Sequence, residues 1–239
     1  MNIIVSGGGT GGHIYPALTI IRAIEKRVPG VRILYVGTPH GLEADIVPRE
    51  GIDFAAIDLA GFERRLSFEN VLRAGRALRA LVRARGIVRA FRPDVAIGTG
   101  GYVAGPILLA ASLAGVPTLV QEQNVCAGVT NRLLAHFAAA IAVGMEDARR
   151  VFPQEKTVVT GNPIRPEVLT ATRAEGAASF GFDPGKKTVL ISGGSRGARS
   201  INRAMVEVLA HAAAQREVQY LHVTGADEHA DMLARLREL

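Results

Sequence analysis

The chain has 239 residues, 48% of them hydrophobic, enough to bury a sizeable core in one large or two small globular domains. Cys126 is the only cysteine, which excludes an intramolecular disulfide and makes a reducing, cytoplasmic compartment the expectation. Lysine and arginine number 28 against 22 aspartates and glutamates, so the net charge of +6 points to an anionic partner, while 5% aromatics and the absence of tryptophan leave no stacking platform for nucleic acid.

Met1 leads straight into an apolar run, Asn2 to Ser6, leaving no room for a cleavable export signal and reading as a buried strand. Gly7 to His13 follows as a glycine turn. From Pro16 the spacing of Ala17, Leu18, Ile20, Ile21 and Ile24 predicts a helix with one apolar face. A strand, a glycine turn and a helix in succession make a cradle for an anion or a sugar, because a backbone without Cβ atoms lets a ligand reach main-chain N–H groups. His13 then sits at the helix start, where an imidazole can exchange a proton near neutral pH. Gly7, Gly9 and Gly12 also satisfy G-x-G-x-x-G, the mark of a dinucleotide site. That site needs an acid at the end of the second strand. The second strand, Arg32 to Val36, runs instead into Gly37, Thr38, Pro39 and His40. No Lys-Ser or Lys-Thr follows the glycines, so a P-loop is excluded. A turn that merely packs a helix on a sheet would need fewer glycines.

Gly41 to Pro48 reads as a short helix ended by its proline, Ile52 to Ile57 as a third strand, and Phe62 to Leu66 as a loop. Phe68 to Phe91 has helical periodicity, with Phe68, Val71, Leu72, Leu78, Leu81, Val82, Val88 and Phe91 as the expected inner residues. Arg73, Arg76, Arg79 and Arg83 form a basic stripe on that helix, either a solvated surface or an attraction for anionic lipid headgroups. Pro93 to Gly98 is the fourth strand and opens into a second glycine cluster, Gly98 to Pro106. Thr118 to Val120 is the fifth and opens into Gln121, Glu122, Gln123 and Asn124. Val95 to Val120 carries no charge, yet its glycines and prolines divide it into strand, loop, helix and strand, so no transmembrane helix is expected. Ligands bind at the carboxyl edge of a doubly wound sheet, which draws the three stretches into one cleft. Taken singly, Glu122 and Asn124 are also good caps for a helix starting near Gly128, and Cys126 is a small loop residue.

Ala139 to Val143 and Thr157 to Val159 add two strands, the latter leading to Gly161, Asn162, Pro163, Ile164 and Arg165. The pattern then restarts with a strand at Lys187 to Ser192, a glycine turn at Gly193 to Ala198, a helix at Ser200 to Ala214, a strand at Val218 to Val223 and a helix at Ala226 to Leu236. The expected class is α/β and GT-B-like, with two Rossmann-like doubly wound parallel-sheet domains, residues 1–162 and 163–239, the second incomplete. A two-stranded sheet is too small to be stable alone, so either the second domain docks on the first or the chain lacks its end.

The runs GGTGGHIYPAL, GLEADIVP, GTGGYVAGP, EQN with AGVTN, GNPIR and GGSRGAR, in this order along the whole chain, closely resemble the MurG family. These bacterial enzymes transfer N-acetylglucosamine from UDP-N-acetylglucosamine to undecaprenyl-pyrophosphoryl-N-acetylmuramoyl pentapeptide (lipid I), giving lipid II for peptidoglycan. The resemblance implies that Thr10, Gly11, Gly12, Asn124, Arg165 and Ser195 contact the donor, and that His13 is the catalytic base, with Glu122 the second candidate. It implies an acceptor cleft at Gly100, Gly101, Tyr102 and Gln123, no cofactor and no metal. The expected partners are lipid I, an anionic membrane surface on the cytoplasmic face and other cell-wall synthesis proteins. The absence of a D-x-D pair agrees with charge neutralisation by a helix N-terminus and arginine. The family often reads HEQN where this chain has Gln121-Glu122-Gln123-Asn124, and the family's ribose-holding acid falls beyond Leu239. The chain is therefore expected to be a carboxyl-truncated member with little transferase activity alone. A dinucleotide oxidoreductase and a non-catalytic lipid-binding fragment are the alternatives.

Overall fold

The computed structural model describes residues 1–59, 68–194, 197–212 and 217–238, the side chains of residues 68–76 excepted. The expected loop at Phe62 to Leu66 lies outside the described residues. The chain divides into two compact units, Met1–Arg165 and Pro166–Leu239, where the sequence reading placed the boundary after residue 162.

In the first unit, strand β1 (Asn2–Gly7) leads into helix α1 (Gly11–Arg27). β2 (Arg32–Gly37), α2 (Glu43–Arg49), β3 (Asp53–Ala56), α3 (Phe68–Phe91), β4 (Val95–Gly100), α4 (Ala104–Leu113), β5 (Thr118–Glu122), α5 (Val129–Leu134), β6 (Ala140–Val143) and β7 (Thr157–Val159) follow. The strands form one seven-stranded sheet in the order β3-β2-β1-β4-β5-β6-β7, and every neighbouring pair is parallel. Successive strand residues point to opposite faces, so Ile3 and Val5 join Ile14, Ala17, Leu18 and Ile21 of α1 on one face. Ile4 joins Ala84, Ile107, Leu108 and Leu134, from α3, α4 and α5, on the other. Winding outward from β1 to β3 and returning through α3 to β4 puts the reversal of strand order between β1 and β4. The carboxyl ends of those strands therefore border the crevice of the sheet.

Three details differ from expectation. Leu78 and Val82 are 66% and 67% exposed, whereas Ala80, Ala84, Ile87 and Val88 are buried. The buried stripe of α3 runs through Ala80, Ala84, Ile87 and Val88, and Leu78 and Val82 fall to its side. Pro48 lies inside α2, which ends one residue later at Arg49. β4 runs on to Gly100 because Gly7 pairs with it across a register shift.

The second unit contains α6 (Pro166–Thr170), α7 (Arg173–Ser179), β8 (Lys187–Ser192), α8 (Arg199–Ala212), β9 (Val218–Val223) and α9 (Ala226–Arg237). β8 and β9 form a two-stranded parallel sheet. Thr172 and Glu175 close a reciprocal capping box at the start of α7, and the backbone and hydroxyl of Thr172 hold the Glu175 carboxyl below its ordinary value. Buried Asn202 donates to the Thr224 carbonyl at 2.9 Å and lies 3.1 Å from His222 Nε2, tying α8 to the end of β9.

Candidate functional site

The glycine turn between β1 and α1 is held from several sides. Thr10 is the N-cap of α1 with an extended backbone and no side-chain cap, and its carbonyl accepts from His13 N and Ile14 N at 3.1 and 3.2 Å. The N–H groups of Gly11 and Gly12, the first two helical residues, have no carbonyl within the helix to bond and carry its positive end. Tyr35 donates its hydroxyl to the Gly7 carbonyl at 2.6 Å. Burial, with the Glu43 charge second, pushes that phenol above its ordinary value, so it remains a donor.

The turn after β4 closes over the same place. Gly8 N–H donates to the Gly100 carbonyl at 3.3 Å. Gly100 and Gly101 have φ of 111° and 81°, and a Cβ on the first would meet the His13 ring while one on the second would strike the Gly8 carbonyl. Thr99 Oγ1 donates to the His13 carbonyl at 2.7 Å. The half-buried His13 ring places Nδ1 2.9 Å from the Gly8 carbonyl oxygen. A carbonyl only accepts, so Nδ1 carries the proton of the neutral ring and Nε2 keeps its lone pair.

The stretch after β5 is organised by buried Glu122. Its Oε1 accepts from the backbone N–H and Nδ2 of Asn124, both at 2.9 Å, and its Oε2 accepts from Gly128 N at 3.0 Å and Asn131 Nδ2 at 2.9 Å. Gln123 donates to the Thr99 carbonyl at 2.7 Å and also to Gln121 Oε1. Asn162 Nδ2 reaches the Gln123 carbonyl at 3.2 Å. Beyond it, the Arg165 guanidinium lies 5.2 Å from the centre of the Tyr15 ring, on the first turns of α1. Among the described residues, buried Gln121 Nε2, Gln123 Oε1 and Asn131 Oδ1 have no hydrogen-bond partner.

Thr10, Gly11, Gly12, His13, Gly100, Gly101, Tyr102, Glu122, Gln123, Asn124 and Arg165 thus all lie at the ends of strands, or in the segments that follow them, at the carboxyl edge of one sheet. Arg79 and Arg83 are exposed on α3, while the side chains of Arg73 and Arg76, and all of Ser195, lie outside the described residues. Sequence reasoning missed Glu43. This residue, fully buried at the start of α2, bonds Gly9 and Thr38. Its only signal was an acid opening the short helix after Gly41. It also missed the apolar surface beside the basic helix, where Leu78, Leu81, Tyr102, Leu109, Leu133 and Phe137 line a cavity of about 560 Å³. A larger hollow, about 920 Å³, is lined by Arg85, Arg92, Pro93 and Val116. It opens near the amino ends of β4 and β5, at the edge of the sheet away from the glycine turns. No group of side chains suited to a metal ion occurs among the described residues, and no described helix is long and apolar enough to cross a membrane.

The glycosyltransferase family 28 N-terminal domain matches residues 3–143, and the family's C-terminal domain matches residues 188–238. The chain is 47% identical over 239 residues to a UDP-N-acetylglucosamine–N-acetylmuramyl-(pentapeptide) pyrophosphoryl-undecaprenol N-acetylglucosamine transferase of Halalkalibacterium halodurans, covering 100% of this chain and 66% of that one. It is 46% identical over 237 residues to the Bacillus subtilis protein of the same name, covering 99% and 65%. The chain thus spans a little under two thirds of the length of these curated relatives. The crystal structure of Acinetobacter baumannii MurG superposes with a TM-score of 0.68 at 27% identity, over 99% of this chain and 64% of that one. A UDP-GlcNAc 2-epimerase from Neisseria meningitidis, bound to UDP-GlcNAc, shares the fold with a TM-score of 0.64 at 16% identity, over 100% and 69%.

Proposed function

Since the chain belongs to glycosyltransferase family 28, we propose that it carries the acceptor-activating half of an inverting transferase that moves N-acetylglucosamine from UDP-N-acetylglucosamine to the 4-hydroxyl of the N-acetylmuramoyl group of lipid I. The observation that carries this reading is the His13 ring. Its Nδ1–H is spent on the Gly8 carbonyl, which leaves Nε2 as a base beside the turn of Gly100 and Gly101. In the reaction, Nε2 takes the proton of the acceptor hydroxyl as its oxygen bonds to C1 of the sugar. The bond from C1 to the diphosphate oxygen breaks with inversion, and UDP leaves with the electron pair. The free N–H groups of Gly11 and Gly12 and the Arg165 guanidinium are the groups of this unit that meet negative charge. Ser195 is assigned to the donor by the family motif alone. With all its bonds turned inward, Glu122 organises the loop that presents Asn124 and leaves proton transfer to His13.

The acceptor is a membrane lipid, and α3 with α5 offers the surface to meet it. Leu78, Val82, Leu133 and Phe137 are exposed apolar residues, and exposed Arg79, Arg83 and Arg132 lie on the same two helices. Aliphatic side chains at the headgroup boundary together with arginines facing anionic lipid make a peripheral attachment to the cytoplasmic face of the membrane. A dinucleotide oxidoreductase is disfavoured because Glu43, the carboxylate bonded to the glycine turn, is buried rather than offered to a ribose.

The test follows transfer of labelled N-acetylglucosamine from UDP-N-acetylglucosamine to a lipid I analogue. Where turnover is too slow to follow, it follows retention of the chain on vesicles carrying that analogue over vesicles lacking it. His13→Ala is expected to lower turnover about 10²- to 10⁴-fold while vesicle retention persists. Binding of NAD, with neither transfer nor retention, would overturn the reading.

A further inference from the structure

The two hydrogen bonds that flank Gly8 and Gly9 belong to one peptide group. Glu43 Oε2 accepts from the N–H of Gly9 at 3.2 Å, and the carbonyl at the other end of that same peptide bond, Gly8 O, lies 2.9 Å from His13 Nδ1. In a trans peptide the N–H and C=O point in opposite directions, so carboxylate, peptide and imidazole form one line of hydrogen bonds. We propose that Glu43 is a positioning residue for His13: acting through the Gly8–Gly9 peptide, it fixes the ring orientation and the Nδ1–H tautomer, and so keeps the lone pair on Nε2. The proposal rests on the reading of His13 as the base, although its first measurement is independent of that reading.

Several features support a built relay rather than an incidental contact. Glu43 is fully buried, and burying a carboxylate is costly unless its oxygens are satisfied. Here Oε1 accepts from Thr38 N–H at 3.0 Å and Thr38 Oγ1–H at 2.7 Å, which leaves Oε2 for Gly9. Gly9 has φ of 85°, a left-handed backbone that turns its N–H toward α2. A negative charge on the N–H side of a peptide polarises it and strengthens its carbonyl as an acceptor, because hydrogen bonds in a chain reinforce one another in a low-dielectric interior. The carboxylate of a serine-protease triad holds its histidine directly and sets its tautomer. In this chain a peptide group stands between the two.

Nitrogen-15 NMR of the His13 ring in the unliganded 239-residue chain tests the relay. In the unmutated protein at a pH where the ring is neutral, the Nδ1–H form should exceed the Nε2–H form by about tenfold, the ratio that one net hydrogen bond supports. Glu43→Gln is the discriminating variant. Its single oxygen is held by the two Thr38 donors, so its NH₂ faces the Gly9 N–H and the clamp opens while the side-chain volume stays the same. The tautomer ratio should fall at least about threefold in that variant. Thr38→Val removes one donor from the other oxygen, leaves the Gly9 bond in place and should keep the ratio. An Nε2–H form that predominates in the unmutated chain would overturn the proposal, as would equal ratios in unmutated and folded Glu43→Gln protein. If Glu43→Gln does not fold, Glu43→Asp, which draws the carboxylate back from Gly9 by one methylene, takes its place, and a ratio equal to that of the unmutated protein would likewise overturn the proposal. Failure of the transferase reading would show as binding of NAD with neither transfer nor retention on vesicles carrying the lipid I analogue, with the tautomer result intact. Where turnover is measurable, Glu43→Gln should reduce kcat by roughly 10²-fold with KM for UDP-N-acetylglucosamine nearly unchanged.

Discussion

Replacing Glu122 with glutamine separates an organising carboxylate from a proton-transferring one. The carboxylate accepts four N–H donors, two on each oxygen. An amide keeps one oxygen, so one pair of donors must face an NH₂ group. The oxygen will turn toward Asn131, which is buried, and the NH₂ toward Asn124, which is exposed and can recover bonds from water. Hydrogen bonds to a charged acceptor are each worth about 1.5–3 kcal/mol, and re-solvation of the Asn124 pair returns part of the loss. The net cost comes to about 2–3 kcal/mol, or roughly 5–10 °C in the melting of a unit of this size. Thermal melts followed by circular dichroism, and transfer rates measured well below the transition, provide the two readings. The expected result is a lower Tm with turnover within about tenfold of the unmutated protein. An unchanged Tm accompanied by a loss of turnover beyond about 10³-fold would refute the reasoning and give Glu122 the proton.

Neutralising the exposed arginines of α3, Arg79→Gln with Arg83→Gln, should weaken binding to anionic vesicles about 30-fold, at about 1 kcal/mol for each charge near the surface, and leave neutral vesicles little affected. Equal loss on both kinds of vesicle, read by co-sedimentation, would assign the stripe to solvent. In the second unit, burial holds the His222 ring below its ordinary value. The unfolded chain therefore binds more protons than the folded one as the pH drops from about 6.5 toward the lowered folded value, and the contribution of His222 to stability, complete above about 6.5, is lost across that window. Urea midpoints between pH 7.5 and 5 should fall more steeply for the unmutated protein than for His222→Asn, and parallel slopes would remove His222 as the cause.

Much of the framework was legible in the sequence because it is local. The apolar run at Asn2 to Ser6 and the helical periodicity from Phe68 to Phe91 lie where their patterns put them, and so does the short strand Thr157–Val159. Hydrophobic period and glycine position act over a few residues and need no partner. The glycine turns and the EQN and GNPIR runs gave the family for the same reason, and both family-domain matches bear that resemblance out.

What the sequence left open depends on partners far along the chain. Glu43 reads as an ordinary helix-starting acid until the fold brings Gly9, 34 residues away, onto its oxygen. Gln123 reads as a loop amide until it meets Thr99, 24 residues away. Glu122 was legible both as a cap and as a base, and only the arrival of Asn131 Nδ2 beside Gly128 N fills its second oxygen. Leu78 and Val82 were expected inside because aliphatic side chains favour burial, but a helix has one buried stripe, and the elements packed against α3 place it on Ala80 and Ala84. Local pattern fixes which residues form each element. Which polar atoms find partners, and which apolar residues remain exposed, is settled only when distant elements pack, because a hydrogen bond or a buried contact is a property of two sites rather than one.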